Sequence, residues 1–202
     1  MTLFLGFTLS GQTVWNISDA AFNALGTISA TTTVSDLTIY ATADKTVVVD
    51  ANGKTFGDLT FTHRMKTGGG GAFDDVDPTL PVARVLAFNV TGSCVIQVLA
   101  LSSSASATRE LVVAAGSKNN EVTRFTLAAS STIENHEVFY NGPATTIFLY
   151  SADSGINFYY IKVTSVPVSI TDESAEETVI FPNPAEGNVY LKANTQTNVG
   201  IY

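Results

Sequence analysis

The sequence predicts an all-β fold, an antiparallel β-sandwich of jelly-roll type, on three observations. Apolar residues make up 45% of the chain and charged residues only 14%. Thr, Ser, Val, Ala and Gly dominate, which favours strands and turns over helices. Short apolar or alternating runs recur along the middle of the chain, about ten in all, as in sandwiches and barrels. Turn residues separate them at intervals of roughly 8–12 residues. The 202 residues suffice for one substantial domain with an appendage.

The elements follow in order. Ser18 to Leu25 predicts one short helix, with Ser18 as N-cap and Gly26 as stop. Leu37-Thr38-Ile39-Tyr40-Ala41 alternates as a strand does. Thr46-Val47-Val48-Val49-Asp50 is a second strand, and Ala51-Asn52-Gly53-Lys54 after it predicts a type I′ hairpin turn. Leu59 to Lys66 alternates strictly, with Leu59, Phe61, His63 and Met65 on one face and Thr60, Thr62, Arg64 and Lys66 on the other. Strands are predicted next at Val82 to Val90, Cys94 to Leu101, Glu110 to Ala115, Val122 to Leu127 and Glu137 to Tyr140. The last pair, Thr145 to Tyr150 and Ile156 to Val163, is joined by Ser151-Ala152-Asp153-Ser154-Gly155. No repeat of fixed period is present.

The formal charge is −8. Residues 13–165 hold 13 acids and 9 bases, a net of −4, and residues 166–178 hold four acids and no base. A nucleic-acid partner calls for a basic face, so that class is not expected. No run reaches the ~18 apolar residues of a membrane-spanning helix. The lone Cys94 lies in an apolar run and reads as a small core side chain.

Both ends differ from the middle. Leu3-Phe4-Leu5-Gly6-Phe7-Thr8-Leu9, followed by Ser10-Gly11-Gln12, reads as the end of a signal peptide, so residues 1–12 are expected to be its residue. Residues 166–178 read as an acidic linker. Val179-Ile180-Phe181-Pro182-Asn183-Pro184-Ala185 then precedes two short apolar stretches, a partial second β segment. The Phe-Pro-Asn-Pro motif resembles the opening of the C-terminal sorting domain recognised by the bacterial type IX secretion system. That resemblance implies a truncated sorting domain over 179–202, the type IX machinery as a partner, and a secreted or cell-surface protein exported through the periplasm.

Little in the chain points to catalysis. His63 and His136 lie far apart in sequence, and two His with one Cys make a zinc site improbable. Gly68-Gly69-Gly70-Gly71 lacks the Lys-Ser/Thr and the helix of a phosphate loop. It predicts either a mobile loop or a place where a ligand approaches the backbone. Asp74, Asp75 and Asp77 are weak calcium candidates without a helix–loop–helix frame; no other cofactor is expected. Glu110 and Glu137 are the acids placed at strand ends, and neither is taken as catalytic. No Gly-x-Ser-x-Gly elbow exists.

The candidate ligand-binding residues are cations and planar or aromatic groups on strands. Arg64 and Lys66 share a face just before the glycine loop, and Arg84 and Arg109 begin strands of their own. Tyr150, Asn157 and Tyr159 flank the last connection. Aromatic faces stack on sugar C–H surfaces and amides bond hydroxyls, while uronate carboxylates pair with Arg and Lys. The ordinary alternative is packing tyrosines and solubilising cations.

The region 13–165 resembles a non-catalytic β-sandwich module of secreted bacterial pectate lyases and related polysaccharide-degrading proteins. The resemblance rests on Val14-Trp15-Asn16-Ile17-Ser18 through Phe22-Asn23-Ala24-Leu25-Gly26, on Leu37 to Ala41, on Phe61 to Lys66 with the glycine loop, on Arg84 to Phe88, on Ala144 to Ser151 and on Ser154 to Val163. It implies a carbohydrate-binding module for plant cell-wall polysaccharide, pectin first, covalently linked to a lyase or hydrolase domain. A structural spacer or adhesion domain without a sugar site is the alternative, and a fragment of a pectate lyase the second.

Overall fold

A computed structural model describes residues 11–166 together with two short strands, Phe181–Pro182 and Val189–Tyr190. Residues 1–10 of the expected signal remnant 1–12, residues 167–178 of the expected linker and most of the sorting segment lie outside the described residues. The chain divides into two units, Met1–Pro167 and Val168–Tyr202.

The first unit holds fifteen strands and one helix among its described residues. In chain order they are β1 (Gln12–Asn16), α1 (Ala20–Asn23), β2 (Thr27–Ile28), β3 (Thr32–Val34), β4 (Leu37–Tyr40), β5 (Val47–Phe56), β6 (Leu59–Lys66), β7 (Ala72–Phe73) and β8 (Pro81–Ala83). They continue as β9 (Val85–Val90), β10 (Cys94–Ser102), β11 (Arg109–Ala115), β12 (Glu121–Leu127), β13 (Glu134–Tyr140), β14 (Thr145–Ser151) and β15 (Ile156–Ser165). In the second unit, β16 (Phe181–Pro182) pairs antiparallel with β17 (Val189–Tyr190).

Two antiparallel sheets form the sandwich. Sheet A runs β13-β10-β15-β6-β5-β2, with β1 also paired to β15, and sheet B runs β12-β11-β14-β9-β4-β3. The core lies between them. Val47, Val49, Met65, Ile96, Val98, Phe158 and Ile161 of sheet A meet Ile39, Leu86, Phe88, Leu111, Val113, Ile147 and Leu149 of sheet B. Each such side chain contributes about 1.5–3 kcal/mol by leaving water. Trp15 packs its ring 4.9 Å from that of Phe88 and donates its indole N–H to the Ser35 carbonyl at 2.7 Å, linking β1 to the β3–β4 turn.

Sheet B is apolar on its outer face as well. Val85, Ala87, Val112, Ala114, Phe148 and Tyr150 pack there with Phe73 of the β7–β8 hairpin. That second cover explains why β9, β11 and β14 read as continuous apolar runs: a strand buried on both sides has no polar face to alternate with.

Four sequence expectations need correction. The helix is a single turn capped by Asp19 without a side-chain bond; the Ser18 hydroxyl instead accepts the Thr62 and His63 backbone N–H groups, at 2.8 and 3.2 Å. Asn52-Gly53 is not a hairpin turn. β5 runs through it to Phe56, the register slips between Ala51 and Lys54, and the chain reverses at Gly57, which has φ +54°. Third, the residues from Val82 to Val90 do not make one strand, because Arg84 sits between β8 and β9 with φ +58°. Lastly, the predicted apolar face of β6 is split. Met65 enters the core, Phe61 joins an outer cluster, and Leu59 is exposed. Asn52 and Gly53 of β5 face the single residue Thr62 of β6, and this bulge bends and twists the hairpin, so its two halves need not face the same way.

Candidate functional site

The outer face of sheet A carries a polar cleft of about 200 Å³ beside a small apolar cluster. Strand parity builds it. Asn157 lies between the core residues Ile156 and Phe158, and Arg64 and Lys66 flank the core residue Met65, so all three turn outward. Register then aligns them: Asn157 stands opposite Lys66, and Arg64 opposite Asp50. Thr67 locks this end of β6 to β15, since its backbone N–H donates to the Ile156 carbonyl at 3.1 Å and its hydroxyl accepts the Ile156 N–H at 3.0 Å.

Arg64 Nε donates to Asp50 Oδ1 at 2.8 Å, and Lys66 Nζ lies 2.6 Å from Asp50 Oδ2. Burial raises the Asp50 pKa, but the hydrogen bonds and charges of Arg64 and Lys66 outweigh it and hold the carboxyl below its ordinary value. The bulge at Asn52-Gly53 re-aims Asn52 toward β15, where its Oδ1 accepts the Tyr159 hydroxyl. Burial pushes the Tyr159 phenol up, so it stays a donor. Lys54 reaches across to the Ser131 carbonyl at 2.7 Å. Ser102, Ser103, Ser130 and Ser131 complete a polar rim.

Asn157 is 2% exposed, yet its Oδ1 has no hydrogen-bond partner. A buried acceptor left unpaired costs about 1–3 kcal/mol. Asn157 is among the residues that line the cleft, together with the cations Lys54 and Arg64 and no carboxylate. The arrangement can bond hydroxyls and attract an anion. Its lining carries no pair of carboxylates of the kind that cleaves glycosidic bonds.

No protein-family model and no curated protein matches the chain. Solved structures with a similar strand arrangement include the CBM36-1 domain of a multidomain xylanase from the hindgut metagenome of Trinervitermes trinervoides, at 9% identity and TM-score 0.41 over 78% of this chain and 100% of that one. CBM35 from Paenibacillus barcinonensis is 16% identical, with TM-score 0.40 over 76% of this chain and 99% of that one. The CBM22-1 xylan-binding domain from the same organism is 10% identical, with TM-score 0.41 over 77% and 95%. Likeness at this level leaves the ligand to be argued from the residues themselves.

Of the seven candidate residues, the structure places Arg64, Asn157 and Tyr159 in the lining of the cleft and Lys66 beside it, opposite Asn157 and paired to Asp50. The other three lie elsewhere. Tyr150 is on the outer side of sheet B, its ring 5.0 Å from Phe73 edge to face. Arg84 folds over Gly69, where a side-chain carbon would collide with its guanidinium. Arg109 opens β11 and donates to the Thr108 carbonyl at 2.8 Å. The tyrosines also differ from their expected role. Tyr159 is fully buried among Phe61, Leu99, Leu101 and Ile133, and Tyr150 is 9% exposed, so neither offers an open ring face for stacking.

The glycine loop proves to be a packing device. Cβ atoms at Gly70 and Gly71 would meet the Asp153 backbone and the Tyr150 side chain at 3.1 and 2.6 Å, so the absence of side chains serves an internal contact. The calcium candidates do not converge. Asp74 Oδ1 accepts the Val76 and Asp77 N–H groups and Asp77 Oδ1 accepts from Thr79, which spends these oxygens inside their own turn. No group of three metal-ligating side chains occurs among the described residues. Glu137 lies in the middle of β13 rather than at its end. Cys94 is buried in the core, and burial pushes its thiol up.

Sequence reasoning missed Asp50, Asn52, Lys54 and the serines. The Asn-Gly pair looked like a turn, which placed Asn52 and Lys54 at a hairpin tip. Ser102 is the last residue of β10, and Ser103, Ser130 and Ser131 lie in connections, which carry no periodicity.

His136 is the titratable group most clearly tied to stability. It is 9% exposed, its ring lies 5.0 Å from that of Phe125, and Glu134 Oε2 is 3.7 Å from its Nε2. Burial depresses its pKa below the ordinary 6.5, and the opposing charge of Glu134 does not offset this. The folded state therefore binds the proton less tightly than the unfolded chain does. Its stabilising effect is full above the unfolded pKa and is lost as pH falls below about 6.5. Melting temperatures measured from pH 8 to pH 5 should fall on the acid side, and His136→Phe should flatten that fall. Parallel slopes in the two proteins would show that another group is responsible.

Proposed function

We propose that residues 13–165 form a non-catalytic carbohydrate-binding module. Its ligand is an acidic plant cell-wall polysaccharide of the pectin class, held in the cleft on sheet A. The observation that carries this reading is the buried, unpartnered Asn157 acceptor on a cleft lined by hydroxyls and cations. A sugar hydroxyl supplies the donor that Asn157 lacks, and Arg64 with Lys66 meets a uronate carboxylate. The cleft is cationic in a chain of formal charge −8, a reversal that suits an anionic ligand. Arg84, Arg109 and Tyr150 stand outside the cleft and are given no part in it. The remainder of the proposal follows the resemblance: an acidic linker over 166–178, a type IX sorting segment over 179–202, export to the surface or medium, and a lyase or hydrolase domain as covalent partner.

The test is affinity electrophoresis of the chain in gels containing polygalacturonan, xylan or β-glucan. Retardation is expected with polygalacturonan and is to be lost in Arg64→Ala. Absence of retardation on every glycan would end this reading in favour of a spacer or adhesion domain, which the lack of an open ring face at Tyr150 and Tyr159 favours. Release of ultraviolet-absorbing unsaturated product from pectate would instead indicate a lyase.

A further inference from the structure

Resting on that reading of the cleft, we propose that Asp50 is a built-in competitor of the ligand, a carboxylate the protein holds against its own anion-binding cations. Asp50 receives Arg64 Nε at Oδ1, at 2.8 Å, and Arg64 Nη2 and Lys66 Nζ at Oδ2, at 3.5 and 2.6 Å. One carboxylate thus occupies both cations, in the side-on geometry that a uronate would use. The three side chains are 23%, 34% and 33% exposed for Arg64, Lys66 and Asp50, so water and ligand reach the triad. At that exposure the ion pairs are weak enough to exchange. The arrangement spares Arg64 and Lys66 the cost of standing unpaired and keeps the guanidinium plane fixed beside the cleft. It also sets a threshold. A neutral glycan gains nothing from displacing Asp50, and a single uronate must compete for cations already engaged. A chain carrying carboxylates on successive sugars competes better, because a second carboxylate is held at high local concentration once the first is bound. Asp50 is therefore a specificity-determining residue that selects densely charged uronans over sparsely substituted ones.

The experiment compares the wild-type chain with Asp50→Asn on polygalacturonan, on sparsely substituted glucuronoxylan and on unsubstituted β-glucan, by affinity electrophoresis at two salt concentrations. Circular dichroism establishes that the variant is folded, and Asp50→Ser serves as a second variant. The variants should bind both acidic glycans more tightly, by about fivefold. The gain should be larger in proportion for glucuronoxylan and should shrink at high salt. β-Glucan should be unaffected. Wild-type binding with no gain in either variant, or an equal gain on β-glucan, would overturn the competitor role while leaving the proposed function standing. No binding of any glycan by wild type or variants would remove both.

Discussion

Asn157→Leu is expected to abolish retention on polygalacturonan while leaving the melting temperature unchanged or higher. The two effects have one origin. Asn157 is buried with an unpaired Oδ1, and removing an unsatisfied buried acceptor relieves a cost of about 1–3 kcal/mol. Leucine has the same branched shape, is bulkier, and has no polar group to desolvate. The same change deletes the acceptor that a sugar hydroxyl would meet and places a hydrocarbon at the cleft wall. Binding should weaken at least about tenfold, or about 1.4 kcal/mol. Thermal melting and affinity electrophoresis on the same preparation check both halves. A lower melting temperature would mean that Asn157 supports the fold, and unchanged retention would take it out of the site. Keeping an unfavourable polar group where an apolar one would do is the exchange of stability for function seen at binding sites.

Phe158→Ala, one residue further along β15, should do the reverse. Phe158 is fully buried between the sheets. Truncation there leaves a cavity that close-packed neighbours cannot fill, at about 3–5 kcal/mol. Urea unfolding should show the midpoint moving down with little change in slope. Where enough folded protein remains, affinity for the glycan should be kept. A loss under about 1 kcal/mol would mean that the core repacks around the gap. Two neighbouring residues on opposite faces of one strand thus separate what holds the domain together from what it is proposed to bind.

The legibility of this chain follows the same division. Strands of six residues or more with a clear face, such as Cys94–Ser102 or Ile156–Ser165, can be read because a period of two shows over that length. The short strands β2, β3 and β7 cannot show a period, and only pairing to a neighbour defines them. Arg64, Lys66 and Asn157 come together because parity fixes the face each presents, although which strands become neighbours is a property of the whole sheet. Local chemistry misled at Asn52-Gly53, since the residues that favour a tight turn also suit a bulge, and nothing within four residues separates the two. The burial of Tyr159 was hidden for a similar reason. Its parity points it outward, and only the packing of Phe61, Leu101 and Ile133 over that face covers it. The left-handed backbone at Arg84 has no sequence signal at all.

The pairing of β1 with β15 has a mechanical consequence. Gln12 stands opposite Thr164 and Asn16 opposite Tyr160, and the Ser165 N–H donates to the Gly11 carbonyl at 2.9 Å. The chain therefore enters and leaves the sandwich side by side, at the same end of one antiparallel ladder. Tension applied between residues 11 and 166 would load the hydrogen bonds of that ladder one pair at a time, as a zipper is opened, instead of shearing them together. The domain is thus built to give way under a pull at low force, starting at Gly11 and Ser165. The cleft lies further along β15, at Asn157, where β6 takes the edge that β1 has left, beyond the last rung of that zipper.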